Sequence, residues 1–131
     1  MSIGILIIAH CNLAANMLCQ VELNIGSPPL AMAAVDVDPQ ADPEEIRIAA
    51  TQLATGLDSG DGIVIVTDLF GATPSNIAHS LELSGRRTLV HGLNLAMLVR
   101  ACNYQDCSLE ELTEKMVEGG QLSIFSGNSP A

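Results

Sequence analysis

Residues 63–67 read Ile-Val-Ile-Val-Thr, residues 3–9 read Ile-Gly-Ile-Leu-Ile-Ile-Ala, and these two stretches decide the fold. Both are short apolar runs rich in β-branched residues, and neither alternates apolar with polar side chains. That pattern is typical of strands buried on both faces, as in a parallel sheet. Parallel neighbours need long crossover connections, so the chain between these runs has to supply helices.

Helical patterns do alternate with the apolar runs along the chain. Asp42 and Ser108 each precede such a pattern and have Glu three residues later, at Glu45 and Glu111, which predicts two capping boxes. The spacing predicts helices at residues 12–25, 43–56, 74–83, 94–103 and 109–118, and further strands at 30–37, 88–91 and 121–125. We therefore expect an α/β fold, a single doubly wound open sheet that is mostly parallel, with helices on both faces.

The composition indicates one folded domain and excludes several functions. The chain has 131 residues, of which 48% are hydrophobic and 15% charged, unlike a disordered chain. Aromatic residues make up only 2%, which disfavours base stacking. With 5 basic and 15 acidic residues the net charge is −10, which disfavours nucleic acid and anionic membranes and favours a partner with a basic face. We predict a domain at residues 1–125 and a frayed tail at 126–131.

No apolar run is long enough for a transmembrane helix, and no basic residue precedes the first apolar run as in a signal peptide. We expect a cytoplasmic protein. Its four cysteines show no CxxC pair and are expected to be free thiols.

Two polar residues come directly after predicted strands: His10 and Asp68. The carboxyl ends of parallel strands share one edge of a sheet, so both side chains can line one crevice. A carboxylate that accepts the Nδ1–H of a histidine fixes its tautomer and leaves Nε2 as a nucleophile or base. The alternative is that Asp68 only caps its loop.

Residues 70–74, Phe-Gly-Ala-Thr-Pro, connect this strand end to the next helix. Gly71 permits a tight turn and Pro74 suits the first turn of a helix. Free backbone N–H groups there, with the Thr73 hydroxyl, would form an anion cradle at a positive helix end. An ordinary helix cap at Thr73 would need the same residues.

Other residues with reactive side chains have plainer interpretations. His79 lies within a predicted helix, where a surface or packing role is expected, while His91 ends a strand and could reach the crevice of His10. Cys11 adjoins His10, but a lone thiol without a clear base is usually inert. Turn and cap chemistry is expected of three further acidic residues, Asp36, Asp38 and Asp42, and no metal site is predicted.

Four blocks together resemble one family: Ile-Leu-Ile-Ile-Ala-His at 5–10, Leu-Ala at 13–14, Val-Thr-Asp-Leu-Phe-Gly-Ala-Thr-Pro-Ser-Asn at 66–76, and Gly-Leu-Asn-Leu-Ala-Met-Leu at 92–98. The chain is similar to the mannose-type IIA component of the bacterial phosphoenolpyruvate-dependent sugar phosphotransferase system over residues 1–125. A related carrier, the phosphotransferase subunit of dihydroxyacetone kinase, shares the fold, but Phe70-Gly71 fits the mannose type better.

The resemblance implies a phosphohistidine carrier with no metal or bound cofactor. His10 would take a phosphoryl group from phospho-HPr and pass it to a IIB component, which feeds a IIC/IID permease. Asp68 would hold Nδ1, while Gly71, Ala72 and Thr73 would cradle the phosphoryl oxygens. The resemblance also implies a homodimer in which an antiparallel C-terminal edge strand, here near residues 121–125, is exchanged between subunits.

The chain departs from the family pattern at three positions. Family members commonly carry Gly where this chain has Cys11 and Ala72, and Pro where it has Ala96. A Cβ at Ala72 is tolerable only if its φ is negative.

Two alternatives to a transport carrier stay open. One is a regulatory IIA without a permease, whose phosphorylation state controls partner proteins. The other is an unrelated α/β thiol or metal enzyme that uses Cys11, His10 and His91, although their scattered spacing disfavours it.

Overall fold

A computed structural model describes residues 2–130, which form four strands and five helices in strict alternation until the last two helices. The strands are β1 (Gly4–His10), β2 (Met32–Val37), β3 (Ile63–Thr67) and β4 (Arg87–His91). The helices are α1 (Leu13–Ile25), α2 (Pro43–Leu57), α3 (Thr73–Ser80), α4 (Leu95–Ala101) and α5 (Leu109–Leu122).

The strands form a parallel sheet in the order β2-β1-β3-β4. In the register, Ile8 of β1 lies opposite Thr67 of β3, and Thr67 lies opposite His91 of β4. The carboxyl ends of β1, β3 and β4 therefore meet at one edge of the sheet, which is where an open α/β sheet carries its functional groups.

Alternate side chains of the strands face two separate apolar cores. Ile5 and Ile7 of β1 pack on one face beneath α1, α4 and α5, while Leu6 and Ile8 pack on the other beneath α2 and α3. All four side chains are fully buried. The predicted doubly wound architecture with helices on both faces is confirmed.

Side-chain caps set the starts of α2 and α5 as the sequence indicated. The Asp42 carboxylate accepts the Glu44 backbone N–H at 3.0 Å to start α2, and Ser108 accepts that of Glu111 at 3.2 Å to start α5. The Ser108 hydroxyl in turn donates to Glu111 Oε1, so the two side chains of this predicted box pair, but among the described residues no bond from the Ser108 backbone N–H to Glu111 closes the box. The second predicted box is wrong, since Glu45 makes no capping bond among the described residues.

The predicted strand at residues 121–125 is wrong for this chain. Instead, α5 continues through Gly119 and Gly120 to Leu122, and the residues beyond it form neither helix nor strand as far as Pro130. A Cβ on Gly119 would meet the Arg100 side chain at 2.7 Å. The two glycines therefore allow α5 to pack closely on α4, and they do not end the helix as their sequence pattern suggested.

The predicted division into a domain at 1–125 and a tail at 126–131 stays a prediction. Met1 and Ala131 lie outside the described residues. No helix within residues 2–130 has the length and apolarity needed to cross a membrane.

Candidate functional site

Asp68 holds His10 by two hydrogen bonds at the carboxyl edge of the sheet. His10 is the last residue of β1 and Asp68 is the first residue after β3, the strand beside it. The Asp68 Oδ2 atom lies 2.7 Å from His10 Nδ1 and 3.0 Å from the His10 backbone nitrogen. The Asp68 carboxylate thus orients the imidazole through its Nδ1 atom, and the Nε2 atom is left to contact another partner.

The two side chains differ in exposure in the way a poised nucleophile requires. The His10 side chain is 44% exposed, and that of Asp68 is 12% exposed. Burial by itself raises the pKa of Asp68, but the backbone and ring hydrogen bonds from His10 outweigh it and lower the pKa below its ordinary value. Asp68 is therefore a carboxylate at neutral pH, and Nδ1 of His10 carries the proton that it accepts.

The loop between β3 and α3 makes a tight turn beside this pair. Gly71 has a φ of 86°, a conformation that side chains disfavour, and Ala72 has a φ of −90°. The φ of Ala72 is therefore negative, as the Cβ of an alanine at this position requires. No side chain caps α3, so the interpretation of Thr73 as its cap is wrong: Ala72 occupies that position and Thr73 is the first helical residue.

An uncapped helix start leaves first-turn N–H groups without intrahelical acceptors. Such groups, at the positive end of the helix dipole, bind anions. Thr73 also lines a cavity of about 250 Å³ that opens beside His10. Its other lining residues come from β2, α2 and the loop between them: Val37, Asp38, Pro39, Ala41, Pro43 and Ile46. The structure thus brings together His10, Asp68 and Thr73, with Gly71 and Ala72 in the adjoining turn.

His91 makes a contact that the sequence did not reveal. Its Nδ1 lies 2.5 Å from the hydroxyl of Thr67, the buried last residue of β3. The ring also stacks parallel to that of His79 at 5.4 Å, with Phe70 edge-on at 5.0 Å. Polar residues at two strand ends were visible in the sequence, but their pairing depends on β3 and β4 being neighbours.

The remaining candidate residues have local structural roles. The carboxylates of Asp36, Asp38 and Asp42 accept backbone N–H groups of Ala15, Gln40 and Glu44, as turn and cap residues do. Within residues 2–130, no three His, Cys, Asp or Glu side chains group so as to hold a metal.

Cys11 has an exposed side chain and a φ of 52°. Among the described residues it is the only one other than glycine with a positive φ. Glycine adopts this backbone conformation without strain, and glycine is the residue that the sequence resemblance leads one to expect here.

A family model supplies the deciding comparison. The model EIIA-man, described as PTS system fructose IIA component, matches residues 4–117. The chain belongs to this IIA family. The match spans all four strands, the His10–Asp68 pair and the turn at Gly71, and it confirms the resemblance seen in the sequence. No protein with a curated function matches this IIA chain significantly.

Solved structures resemble this IIA chain over nearly its whole length. Phosphotransferase system component EIIA from Streptococcus agalactiae is 26% identical, with a TM-score of 0.79 over 95% of this chain and 96% of that one. The PTS IIA protein associated with the fucose utilization operon of Streptococcus pneumoniae is 28% identical, with a TM-score of 0.80 over 94% and 91%. The mannose/sorbose specific IIA subunit from Enterococcus faecalis, at 24% identity, shares the fold with a TM-score of 0.81 over 100% and 98%.

Proposed function

We propose that this IIA chain is a phosphohistidine carrier that accepts a phosphoryl group from phospho-HPr on His10 and passes it to a IIB component for sugar uptake. The observation that carries the proposal is the pair of hydrogen bonds from His10 to Asp68 Oδ2. They hold Nδ1 in the protonated form and leave the Nε2 lone pair on a half-exposed ring.

In the accepting step, the lone pair of His10 Nε2 attacks the phosphorus of the donor's phosphohistidine. The new N–P bond forms as the donor's N–P bond breaks, and the electron pair of that bond returns to the donor's ring nitrogen. The His10 ring gains positive charge, which the Asp68 carboxylate stabilises through Nδ1–H. In the passing step, a histidine nitrogen or a cysteine thiolate of the IIB component attacks the same phosphorus, and the N–P electrons return to Nε2.

The turn before α3 provides the groups that would stabilise the transferred phosphoryl. We assign Gly71, Ala72 and Thr73 as its binding residues, because the uncapped start of α3 offers backbone N–H groups and Thr73 shares a cavity with His10. Positioned donors of this kind provide most of the catalysis in phosphoryl transfer, where little covalent chemistry falls to the protein.

The negative net charge of the chain indicates what kind of surface its partners present. The chain carries a net charge of −10, and Asp38 lines the cavity beside His10. A partner that brings an anionic phosphoryl group to this surface needs basic side chains around it to offset the acidic ones. We assign this basic docking face to both HPr and the IIB component.

A second copy of the chain is the third proposed partner. Three apolar side chains at the end of α5 and just beyond it are exposed: Leu122, Ile124 and Phe125. Apolar groups clustered in this way mark interaction surfaces. We propose that they are covered by the partner subunit of a homodimer.

Intact-mass spectrometry tests the carrier function. The protein is incubated with phosphoenolpyruvate, enzyme I and HPr, and we expect it to gain the mass of one acid-labile phosphoryl group. His10→Ala abolishes the gain. Asn24→Ala is the control: it removes an exposed side chain of α1 and keeps the gain.

Two outcomes contradict the proposal. One is no gain with the cognate HPr, and the other is a gain that survives His10→Ala. Adding the IIB component then separates the two roles of a carrier: transfer to IIB supports sugar uptake, while stable phosphorylation in its presence supports a regulatory role.

A further inference from the structure

Thr67 is a buried polar residue that bonds to the end of β4 and the two residues after it, through both its hydroxyl and its carbonyl. Its side chain is fully buried, and its hydroxyl contacts His91 Nδ1 at 2.5 Å. Its carbonyl oxygen accepts the backbone N–H groups of Gly92 and Leu93, each at 3.0 Å. Residues 91–93 therefore hold the last peptide of β3 by three hydrogen bonds.

Asp68, the next residue, has few contacts of its own to hold it. Its Oδ2 atom accepts both bonds from His10. Its Oδ1 atom is buried and has no hydrogen-bond partner among the described residues. The direction of the carboxylate is thus set by the backbone from which it projects, by the backbone N–H of His10 and by the ring that it has to orient.

We propose that His91 is a positioning residue, which acts through the Thr67 hydroxyl to fix Asp68 and thereby the tautomer and direction of the His10 ring. The inference rests on the proposed function, because it explains how the carrier histidine is kept ready for transfer. His91 itself touches Thr67, Phe70 and His79.

The surroundings of His91 suit such a role. Burial, and secondly the charge of the stacked His79, lower the pKa of His91 below its ordinary value, which favours a neutral ring. A neutral imidazole has one N–H and one lone pair, so its Nδ1 can pair with a hydroxyl as donor or acceptor. The stack with His79 and the edge contact of Phe70 hold the ring in place from two sides.

Nitrogen NMR of ¹⁵N-histidine protein tests the proposal without any phosphoryl donor. The ring shifts give the ratio of the Nδ1–H to the Nε2–H tautomer of His10, whose signals are assigned by their loss in His10→Ala. In the wild type we expect Nδ1–H to dominate. In Thr67→Val, which keeps the shape and removes the hydroxyl, we expect the ratio to fall about three- to tenfold, the usual effect of one hydrogen bond.

Thr88→Val is the matched control. The Thr88 hydroxyl lies in β4 and bonds to Thr113 Oγ1 of α5 at 2.7 Å, so its removal costs a similar side-chain bond from a neighbouring strand. We expect Thr88→Val and the conservative Thr67→Ser to keep the wild-type ratio. His91→Phe keeps an aromatic ring against Phe70 and His79 but loses the ring nitrogen that contacts Thr67. We expect it to lower the tautomer ratio of His10 as much as Thr67→Val does.

The proposal is overturned if Thr67→Val and His91→Phe keep the wild-type ratio, or if Thr88→Val or Thr67→Ser lowers it equally. Should Thr67→Val fail to fold, the result with His91→Phe decides. If the wild type is never phosphorylated, the carrier function fails, yet the tautomer ratios still show whether His91 positions His10. If the wild type is phosphorylated, the transfer rate of each variant should follow the fraction of His10 in the Nδ1–H tautomer.

Discussion

A single oxygen of Asp68 receives two hydrogen bonds from His10, one from the ring Nδ1 at 2.7 Å and one from the backbone N–H at 3.0 Å. The backbone bond places the carboxylate even before the ring is oriented. The ring bond then selects one of three rotamers and one of two tautomers. Two residues that are 58 positions apart in the chain thus form a unit that presents Nε2 outward.

Replacing the carboxylate tests this unit. We expect Asp68→Asn to keep the fold and to slow the phosphorylation of His10 by roughly a hundredfold, because the amide neither selects the tautomer nor stabilises the charged ring. Asp68→Ala should also slow it. Quenched-flow phosphorylation by phospho-HPr measures the rate. Asp36→Asn is the control, since Asp36 also accepts a backbone N–H but contacts Ala15 and not His10. Equal rates in Asp68→Asn and the wild type would refute the role of Asp68.

The turn at Gly71 allows a comparison of two glycines. Gly71 and Gly26 have φ values of 86° and 87°, and an added Cβ would meet nothing within 4 Å at either. We expect Gly71→Ala and Gly26→Ala each to cost about 1–3 kcal/mol of unfolding free energy from backbone strain. Only Gly71→Ala should slow phosphorylation, roughly tenfold to a hundredfold, because it displaces the donors before α3. Equal phosphorylation rates in the two variants would exclude this turn from phosphoryl binding.

Cys11 sits in a backbone conformation that suits glycine. Its φ of 52° costs about 1–2 kcal/mol of strain, which glycine would relieve. Glycine also gives the unfolded chain more conformational entropy, which cancels about half of that gain. Cys11→Gly should therefore stabilise the protein by roughly 0.5–1 kcal/mol. Cys19→Gly, at an exposed thiol within α1, should destabilise it by a similar amount. Urea denaturation measures both. A loss of stability in Cys11→Gly would show that the thiol makes a contribution larger than the strain.

His91 should make stability depend on pH. Burial, followed by the charge of His79, lowers its pKa in the folded protein below the ordinary 6.5. As the pH falls below 6.5, the unfolded chain takes up its proton first, so the contribution of His91 is present above 6.5 and is lost as the pH falls through the folded pKa. We expect the unfolding free energy to decrease over this range, and His91→Phe to reduce the slope. Urea denaturation as a function of pH measures it, and identical slopes would contradict the assignment.

The proposed homodimer should depend on the exposed residues after α5. Ile124 is 77% exposed. Leu23 of α1 is exposed to a similar extent, at 73%, which makes it a matched control. We expect the wild type and Leu23→Asp to sediment as dimers and Ile124→Asp as a monomer, because a buried unpaired carboxylate disfavours association. A monomeric wild type at micromolar concentration would refute the dimer. If only Leu23→Asp dissociates the dimer, the interface lies at α1 and not at the residues after α5.

The fold and the central pair followed from sequence because their signals are local. Buried parallel strands appear as apolar runs, and Asp42 and Ser108 mark helix starts with their own side chains. The positions of His10 and Asp68 just after such runs predicted one shared edge, since all strands of a parallel sheet end on the same side. The sequence by itself therefore determined the architecture and the two residues of the candidate site.

Tertiary structure decided what depends on neighbours distant in the chain. Gly119 and Gly120 looked like a helix end, but their lack of a side chain serves the close packing of α5 on α4, which no local pattern reveals. The bond between Thr67 and His91 likewise exists only because β3 and β4 are adjacent in this register. Backbone propensity acts within a few residues, whereas these contacts are selected by packing across the whole sheet.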